Sequence, residues 1–570
     1  MSILRANPSL RDTRSYLASF GLRPQLQPPL SQKIKLPISD SIPNPSSSSK
    51  SIQVVHEDPK PSPVVASILN PVYRRTALVK IQGPFTDIQL DSITRGLVYL
   101  EKLGLVSVIV VENDEQIRGE QDERSSIIDE VMRIVTSLEK QGSRARPVLG
   151  AIVKLGPKVE DTSLSDDSNP NFAPPETHTI PSDLIPIRSA LSAGEIPVIA
   201  PFALDSFCRS VRVDANDVIA GLARGMVEAS SLNKHPNQPP EGSSLNYLDQ
   251  VDLTPLRLMI INREGGVPSY ARAGYPHLLI NLTSEYNHIL DTFDNRWNHS
   301  NPTALSNLAL ARTCLAYMPS TSSAVMVSHR SPSSLIGNLI TNKPAVSSSL
   351  PHALLQGNRK LTPSTPTLLR HGLPIQVLRS LDEIDKKKLN ALLEQSFNRT
   401  LNDDSYYKRL SVSLDYIIVA GDYAGAAIVT NELSSKFSKP ISYLDKFAVL
   451  PSHQGDGTVD FLWVALHDES YGLGLPFAAN PNGGKGGKGE GRDLVWRSRS
   501  DNPVNKWYFE RSTGHFRMGS WVLFWCDGEM RIKTEEGRRA SPGLSFIEEF
   551  EEGRLDDWAE VIPKIPSSWK

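Results

Sequence analysis

Between residues 76 and 282 the sequence alternates short apolar strands with amphipathic helices, and this alternation restricts the fold more than any other feature. TALVKIQG opens the stretch, LVSVIVVE follows at Leu105 and PVLGAIVKL at Pro147, all with the apolar character of strands buried on both faces. Apolar residues at helical spacing predict helices from Asp87 to Leu103 and around Ile127 to Leu138. Further strands are predicted at 196–200, 256–262 and 277–282, with a helix near 218–226. This order indicates a mostly parallel α/β sheet flanked by helices.

A proline-rich stretch from Asn342 to Pro374 separates this region from a second one. Beyond it, strand IQVL at Ile375 leads to Ser380 and Glu383, whose spacing predicts a capping box at the start of a helix to Phe397. Strands are predicted at 414–420, 423–430 and 441–450, and later at 493–499 and 521–525, with a short helix near residue 503. The region from Ile375 to Lys570 is therefore predicted to fold alone.

The 570 residues exceed what one hydrophobic core supports, which excludes a single small domain. We expect a basic segment at 1–23, a Pro- and Ser-rich linker at 24–70, and a first domain at 71–350. A second domain at 360–550 and a tail at 551–570 complete the chain. The polar tracts 160–175, 233–244 and 480–491 are interpreted as surface insertions.

The first 23 residues carry four arginines and one acidic residue, Asp12. This bias is typical of a mitochondrial presequence. Leu10, Leu17 and Phe20 fit a short docking helix of the mature protein equally well, so both interpretations stay open.

Charge and cysteine usage exclude several classes. The net charge is −2, so nothing in the whole-chain charge favours nucleic acid. The three cysteines, Cys208, Cys314 and Cys526, lie too far apart for a disulfide framework or a Cys-rich zinc site, and we expect no metal. No apolar stretch approaches the roughly 20 residues of a membrane-spanning helix, so no membrane partner is expected.

The segment HQGDGT joins strand YLDKFAVL to an amphipathic helix. Two close glycines let backbone N–H groups converge on an anion such as a pyrophosphate at the helix N-terminus. The candidate cofactor-binding residues are Val449, through its backbone N–H, and Gln454, Gly455, Asp456, Gly457 and Thr458. The loop resembles the coenzyme A loop of the GNAT superfamily of N-acetyltransferases, although Val459 replaces the closing Gly or Ala. An ordinary strand-to-helix turn is the alternative.

Arg497 and Arg499 share one face of the predicted strand LVWRSR, because side chains alternate along a strand. Two guanidinium groups on one side form a carboxylate clamp, and Lys446 on the strand before the loop could face the same cleft. The alternative is that all three are solvated surface charges.

Four sequence blocks occur in the order DKF, WRSR, NPVNKWYF and WVLFW. They resemble blocks found in the same order in the acetyltransferase domain of the N-acetylglutamate synthase family of fungal and vertebrate type. The resemblance implies acetyl-coenzyme A as co-substrate and L-glutamate as acceptor. It implies that Lys446 and Arg499 hold the glutamate carboxylate beside Arg497, and that Asn502 and Tyr508 are the catalytic pair. The reaction would be the first step of arginine biosynthesis.

RTALVKIQGPF and VDANDVIAGLA make the first domain similar to an amino-acid kinase fold. Acetylglutamate kinases place two glycines after the first-strand lysine, whereas Lys80 is followed by one glycine and Pro84. We therefore interpret this domain as regulatory and structural. The resemblance further implies a location in the mitochondrial matrix, L-arginine as effector, acetylglutamate kinase as partner and a homo-oligomer.

Two other functions stay open at this point. One is an acetyltransferase for another amine, such as a protein N-terminus, which would use the same cofactor loop; the paired arginines argue against it. The other is a silent scaffold that senses arginine or binds acetylglutamate kinase. Intact Lys446, Arg499, Asn502 and Tyr508 argue against a silent second domain.

Overall fold

A computed structural model describes residues 74–117, 119, 122–156, 158, 175–232, 252–330, 342–344, 346–350, 361–434, 440–467, 472–473, 491–528 and 546–570. The chain divides into two compact units, Met1–Arg74 and Arg75–Lys570, and every element below belongs to the second unit. The basic segment, the linker and most of the predicted insertions lie outside the described residues. Within the described residues, no helix has the length and apolar character needed to cross a membrane.

The first sheet has eight strands in the order β10-β12-β11-β9-β1-β2-β6-β3, and all neighbours are parallel except β11 and β12. The strands are β1 Arg75–Gly83, β2 Leu105–Asn113, β3 Ala145–Val148, β6 Ile196–Ile199, β9 Pro255–Asn262, β10 Leu279–Asn281, β11 Ser323–Ser328 and β12 Thr367–Arg370. The helices are α1 Asp87–Lys102, α2 Glu123–Lys140, α3 Ile185–Ser192, α4 Ala215–Leu232, α5 Leu282–Thr292, α6 Trp297–Ser300 and α7 Ala304–Tyr317. The predicted parallel α/β arrangement is confirmed.

One predicted strand of this region is in fact two. PVLGAIVKL divides into β3 and β4 (Val153–Leu155), and β4 belongs to a small sheet ordered β5-β4-β7-β8. The remaining strands of the small sheet are β5 Thr177–His178, β7 Phe202–Leu204 and β8 Ser210–Arg212. The prediction was wrong because an apolar run carries no information about which neighbour each part pairs with.

The second sheet has seven strands in the order β13-β14-β15-β16-β17-β19-β18, and only β16 and β17 are parallel. The strands are β13 Ile375–Leu378, β14 Leu414–Ala420, β15 Gly425–Glu432, β16 Ile441–Val449, β17 Leu494–Arg499, β18 Gly514–Met518 and β19 Trp521–Cys526. The helices are α8 Lys386–Phe397, α9 Asp403–Ser413, α10 Thr458–Ala465, α11 Asn505–Phe509 and α12 Phe546–Val561.

The predicted capping box does not start a long helix. Ser380 caps a 3₁₀ turn at Leu381–Glu383, and the Glu383 carboxylate accepts the N–H of Arg379 instead of that of Ser380. Helix α8 begins at Lys386, where Asp385 accepts two backbone N–H groups. Asp385 supplies a stronger local cap, so the turn and the helix are separate. Helix α9 was not predicted, because only Tyr406 and Leu410 of its residues are buried.

Residues at both ends of the predicted second domain pair or pack across its limits. Strand β12, inside the predicted 360–550 domain, pairs with β10 and β11 of the first sheet. Of the predicted tail, Trp558, Ile562 and Ile565 are buried with Val495 of β17. Both segments are placed by long-range packing, which proline content and local polarity do not encode.

Candidate functional site

The site begins where strands β16 and β17 diverge. In the described structure they pair only at Ser442 with Leu494 and at Tyr443 with Val495, and the rest of both strands borders a gap. The N–H of Leu450 donates to Ala424 O on the β15 side. Because successive N–H groups of a strand point to opposite edges, the N–H of Val449 points toward the gap.

The predicted cofactor loop lies between β16 and α10. Gly455 and Gly457 have φ values of 104° and 89°, the left-handed region that glycine adopts without strain. A Cβ on Gly455 would meet nothing within 4 Å, so the loop is open at this point. Gly457 is the N-cap of α10, and the helix's first N–H groups point out of its N-terminus. The loop geometry therefore suits an anionic group, with Gln454 and Asp456 exposed beside it.

Two residues of the first sheet, Arg370 and Leu279, contact this loop. Arg370 of β12 donates from Nη2 to the carbonyl of Gly455 at 3.4 Å and lies 3.6 Å from the Asp456 carboxylate. Leu279 of β10 would be 3.1 Å from a Cβ on Gly457. The loop is thus fixed by the first sheet as well as by its own strand and helix.

A second connection joins α10 to α11 through residues 347–349. The Oγ atoms of Ser347 and Ser349 donate to Oδ1 of Asp460 at 2.8 and 2.5 Å. Arg511, which follows α11, donates to the same hydroxyls at 2.8 and 2.7 Å, and its guanidinium lies over the Trp507 ring. Arg511 and Ser349 are buried. The network links the helix after the loop to the helix that carries Tyr508.

Lys446 lies on the face of the second sheet that α8 and α9 cover. Its Nζ donates to Oδ2 of Asp445 at 2.9 Å, and Arg409 and Tyr406 also bind that carboxylate. Burial alone would raise the pKa of Asp445, but Lys446 and Arg409 outweigh this and lower it. A shift in register between Ile428 and Val429 accommodates Asp445 in β16. Lys446 is therefore held by an ionised neighbour that sequence reasoning did not identify.

The two arginines of β17 have separate partners. Arg497 donates to the carbonyls of Ile562 and Ile565 at 2.7 and 2.8 Å. Arg499 is exposed, and its Nε and Nη2 bind the two carboxylate oxygens of Asp501 at 3.1 and 3.0 Å. The fork of Arg499 therefore already holds a carboxylate in two-point geometry, whereas Arg497 is committed to backbone carbonyls.

Tyr508 packs on the opposite face of β17. Its ring lies 5.4 Å from the Trp496 ring and 5.5 Å from the Phe524 ring. Burial raises the pKa of Tyr508 to about 12, so the phenol stays protonated at neutral pH. Asn502 donates to Ser498 Oγ at 2.8 Å and accepts the N–H of Val504 at 3.0 Å, which fixes the turn into α11. Tyr508 and the side chains of Arg497 and Arg499 thus lie on opposite faces of β17.

Sequence reasoning missed several residues that build the site: Tyr406, Arg409, Asp445, Ser347, Ser349, Arg370, Arg511 and Trp569. Asp445 stands inside the stretch YLDKF, so its position next to Lys446 was a usable signal. The others come from distant segments with no local motif. Among the described residues, no group of three or more His, Cys, Asp or Glu side chains could hold a metal ion.

Lys80, the first-strand lysine of the first domain, is buried. The side chain is 1% exposed, and Nζ donates to Oδ1 of Asn216 at 2.7 Å and of Asn307 at 2.9 Å. Burial lowers the pKa of Lys80 despite the nearby acids Glu112 and Asp214. Two amide oxygens thus satisfy the buried ammonium group.

Sequence comparison gives strong matches. A family model described as the N-acetyltransferase of N-acetylglutamate synthase matches residues 376–473 and 488–541. A protein of Coprinopsis cinerea named mitochondrial amino-acid acetyltransferase is 72% identical over 573 residues, covering 100% of this chain and 91% of that protein. One of Laccaria bicolor with the same name is 70% identical over 569 residues, covering 100% of this chain and 98% of that protein.

Among solved structures, N-acetylglutamate synthase of Neisseria gonorrhoeae complexed with coenzyme A and N-acetyl-glutamate matches with a TM-score of 0.40 and 12% identity. The match covers 81% of this chain and 92% of that one.

Proposed function

Since the chain belongs to the family of mitochondrial amino-acid acetyltransferases, we propose that it transfers the acetyl group of acetyl-coenzyme A to the α-amino group of L-glutamate. The observation that carries this is the identity of 72% and 70% in comparisons that cover 100% of this chain. The mitochondrial location predicted above is confirmed by the names of both relatives.

Residues 454–458 fit the pyrophosphate of acetyl-coenzyme A, because Gly455 is open and the N-terminus of α10 favours an anion. Bound acetyl-coenzyme A supplies a thioester that an amine can attack. The N–H of Val449, which points into the gap, is placed to donate to the thioester oxygen as it gains negative charge.

The acceptor lies on the face of Lys446 and Arg499. Lys446 supplies a positive charge fixed by Asp445, and Arg499 supplies a fork that binds a carboxylate at two points. L-glutamate must displace Asp501 from Arg499 to use this fork. The neutral amine then attacks directly, since no nucleophilic side chain at the gap calls for an acyl-enzyme.

Tyr508 is the proton donor to the leaving sulfur. A phenol whose pKa is about 12 carries its proton at working pH and can donate to a thiolate as the carbon–sulfur bond breaks. The proton that the amine loses on forming the amide passes through water to the phenolate and restores the phenol. Asn502 acts as a positioning residue, because its amide fixes the turn that starts the Tyr508 helix.

The proposal is tested by measuring coenzyme A release with L-glutamate, L-aspartate, L-glutamine and an N-terminal glutamyl dipeptide as acceptors. We expect the highest kcat/KM with L-glutamate and N-acetylglutamate as the product by mass spectrometry. A Gly455→Val variant is the matched cofactor-loop control, because a branched residue at φ 104° strains the loop. Equal rates with and without glutamate, or preference for the dipeptide, would refute the proposal.

The resemblance also implies three regulatory features that stay predictions: L-arginine as effector, acetylglutamate kinase as partner and a homo-oligomer. They are checked by adding arginine to the same assay and by sedimentation with and without the kinase.

A further inference from the structure

The residues after α12 cross one face of the second sheet, and we call Ile562–Trp569 the closing segment. It starts with a 3₁₀ turn at Ile562–Lys564. The side chains of Ile562 and Ile565 are buried with Tyr443 and Val495, at the point where β16 and β17 stop pairing. The segment therefore lies against the face at which the gap opens.

Arg497 anchors the start of this segment. Its two Nη atoms donate to the carbonyls of Ile562 and Ile565, and its guanidinium stacks 4.9 Å from the centre of the Trp521 ring. The Ile562 carbonyl also accepts the N–H of Ile565 within the turn at 3.2 Å, whereas the Ile565 carbonyl lies just beyond the turn. Arg497 thus holds the start of the closing segment against β17.

Backbone contacts with the loop between α8 and α9 anchor the far end. Asn402 donates its N–H to Ser568 O at 2.9 Å, and Leu401 forms an isolated antiparallel bridge with Trp569. The Trp569 ring packs 5.1 Å from the Phe397 ring.

Trp569 also completes the surroundings of Lys446. The Lys446 Nζ lies 5.8 Å from the centre of the Trp569 ring and 5.4 Å from that of the Tyr406 ring. It also donates to the Asp445 carboxylate. Distances of this size allow an attraction between the ammonium and the faces of both rings. The segment consequently runs from Arg497 of β17 to Lys446 of β16, across the face where the two strands diverge.

From this path we propose that the closing segment is a wall of the acceptor pocket and that Trp569 determines its specificity. It would restrict the pocket to a free amino acid and exclude the N-terminus of a polypeptide. The inference rests on the proposed function. An acceptor whose carboxylate reaches Lys446 must lie between the sheet and the closing segment. A polypeptide joined to that carboxyl group would clash with the residues of the segment.

The test compares Trp569→Ala and Trp569→Phe in the full chain with L-glutamate and with an N-terminal glutamyl dipeptide. Loss of the indole is expected to raise KM for glutamate by about tenfold while KM for acetyl-coenzyme A stays within about twofold. Acetylation of the dipeptide should become measurable. Trp569→Phe keeps a ring beside Lys446 and should restore most of the glutamate affinity.

Trp297→Ala is the matched control, because this tryptophan lies in α6 of the first domain and packs against Phe293. It should leave both KM values unchanged. The proposal is overturned if Trp569→Ala keeps the wild-type KM for glutamate, or if it raises both KM values equally. If Trp569→Ala does not fold, Trp569→Leu decides by the same criteria. Absence of glutamate-dependent coenzyme A release from the wild-type chain would instead refute the proposed function.

Discussion

Ser349 Oγ donates a 2.5 Å hydrogen bond to Oδ1 of Asp460, so a residue that precedes the second sheet holds the first turn of the helix after the candidate cofactor loop. The same hydroxyl accepts from Arg511 Nε at 2.7 Å. Buried hydrogen bonds to charged partners are costly to lose, because each partner is left without compensation. The helix that follows the candidate cofactor loop is therefore held by a segment from outside the second sheet.

Replacing both serines, in Ser347→Ala/Ser349→Ala, removes these contacts from Asp460 and Arg511. We expect a loss of roughly 1–3 kcal/mol in unfolding free energy and a several-fold increase in KM for acetyl-coenzyme A, with a smaller change for glutamate. Melting temperature and steady-state kinetics measure both effects. Ser411→Ala is the control, because that hydroxyl is exposed and donates to the carbonyl of Lys408, a contact within α9. Equal melting temperatures and equal KM values for acetyl-coenzyme A in the two variants would contradict the role of the network.

The sequence predicts that a fragment of residues 375–570 folds alone. It contains the whole second sheet but lacks Ser347, Ser349 and Arg370, which contact α10 and the loop. We now expect a folded fragment with weaker acetyl-coenzyme A binding than the full chain. Calorimetric titration of both proteins with coenzyme A measures the difference, and equal affinity would show that the first domain does not support the loop.

Arg499 and Asp501 give a paired prediction for glutamate binding. Arg499→Ala should raise KM for glutamate by roughly 10- to 100-fold and leave KM for acetyl-coenzyme A nearly unchanged, because an Arg–carboxylate contact is typically worth about 1.5–3 kcal/mol. Asp501→Asn removes the competing carboxylate and should lower KM for glutamate. If both variants change the two KM values in parallel, Arg499 has a structural role.

Tyr508→Phe keeps the ring against Trp496 and Phe524 and removes only the hydroxyl. We expect kcat to fall by about 100- to 10,000-fold with little change in either KM, the pattern of an interaction made mainly in the transition state. Tyr407→Phe is the control, since its hydroxyl binds Asn390 away from the gap. A lowered melting temperature with normal kcat would remove Tyr508 from the mechanism.

Glu285 gives the pH dependence of stability. It is 3% exposed in α5, and burial raises its pKa from 4.5 to about 8 although its carboxylate accepts the N–H of Asn281. The folded state then binds a proton that the unfolded state has released. This stabilisation is fully present below about pH 4.5 and is lost as the pH rises through about 8, with a slope of about 1.4 kcal/mol per pH unit between them. Glu285→Gln should flatten the fall in melting temperature from pH 6 to pH 8, whereas the exposed Asp382→Asn should not.

Local sequence was sufficient for most of the strands and for the glycine loop before α10. Strand β14 matches its predicted limits, and β1, β2, β9 and β16 lie within two residues of theirs. Side-chain periodicity and turn residues act over a few positions, so they can be read without knowing the neighbours. The glycines at 455 and 457 indicated the loop before α10 for the same reason, and the structure gives both a positive φ.

The partners of the site residues were decided only by the tertiary structure. The sequence placed Arg497 beside Arg499 on one face, but packing of the closing segment gave Arg497 two backbone carbonyls and left Arg499 exposed. Trp569 reaches Lys446, and Ser349 reaches Asp460, across more than 100 residues of chain. Spacing along a strand determines the face on which a side chain lies. Which group it meets there depends on segments brought together by burial of apolar surface, and no local pattern specifies them.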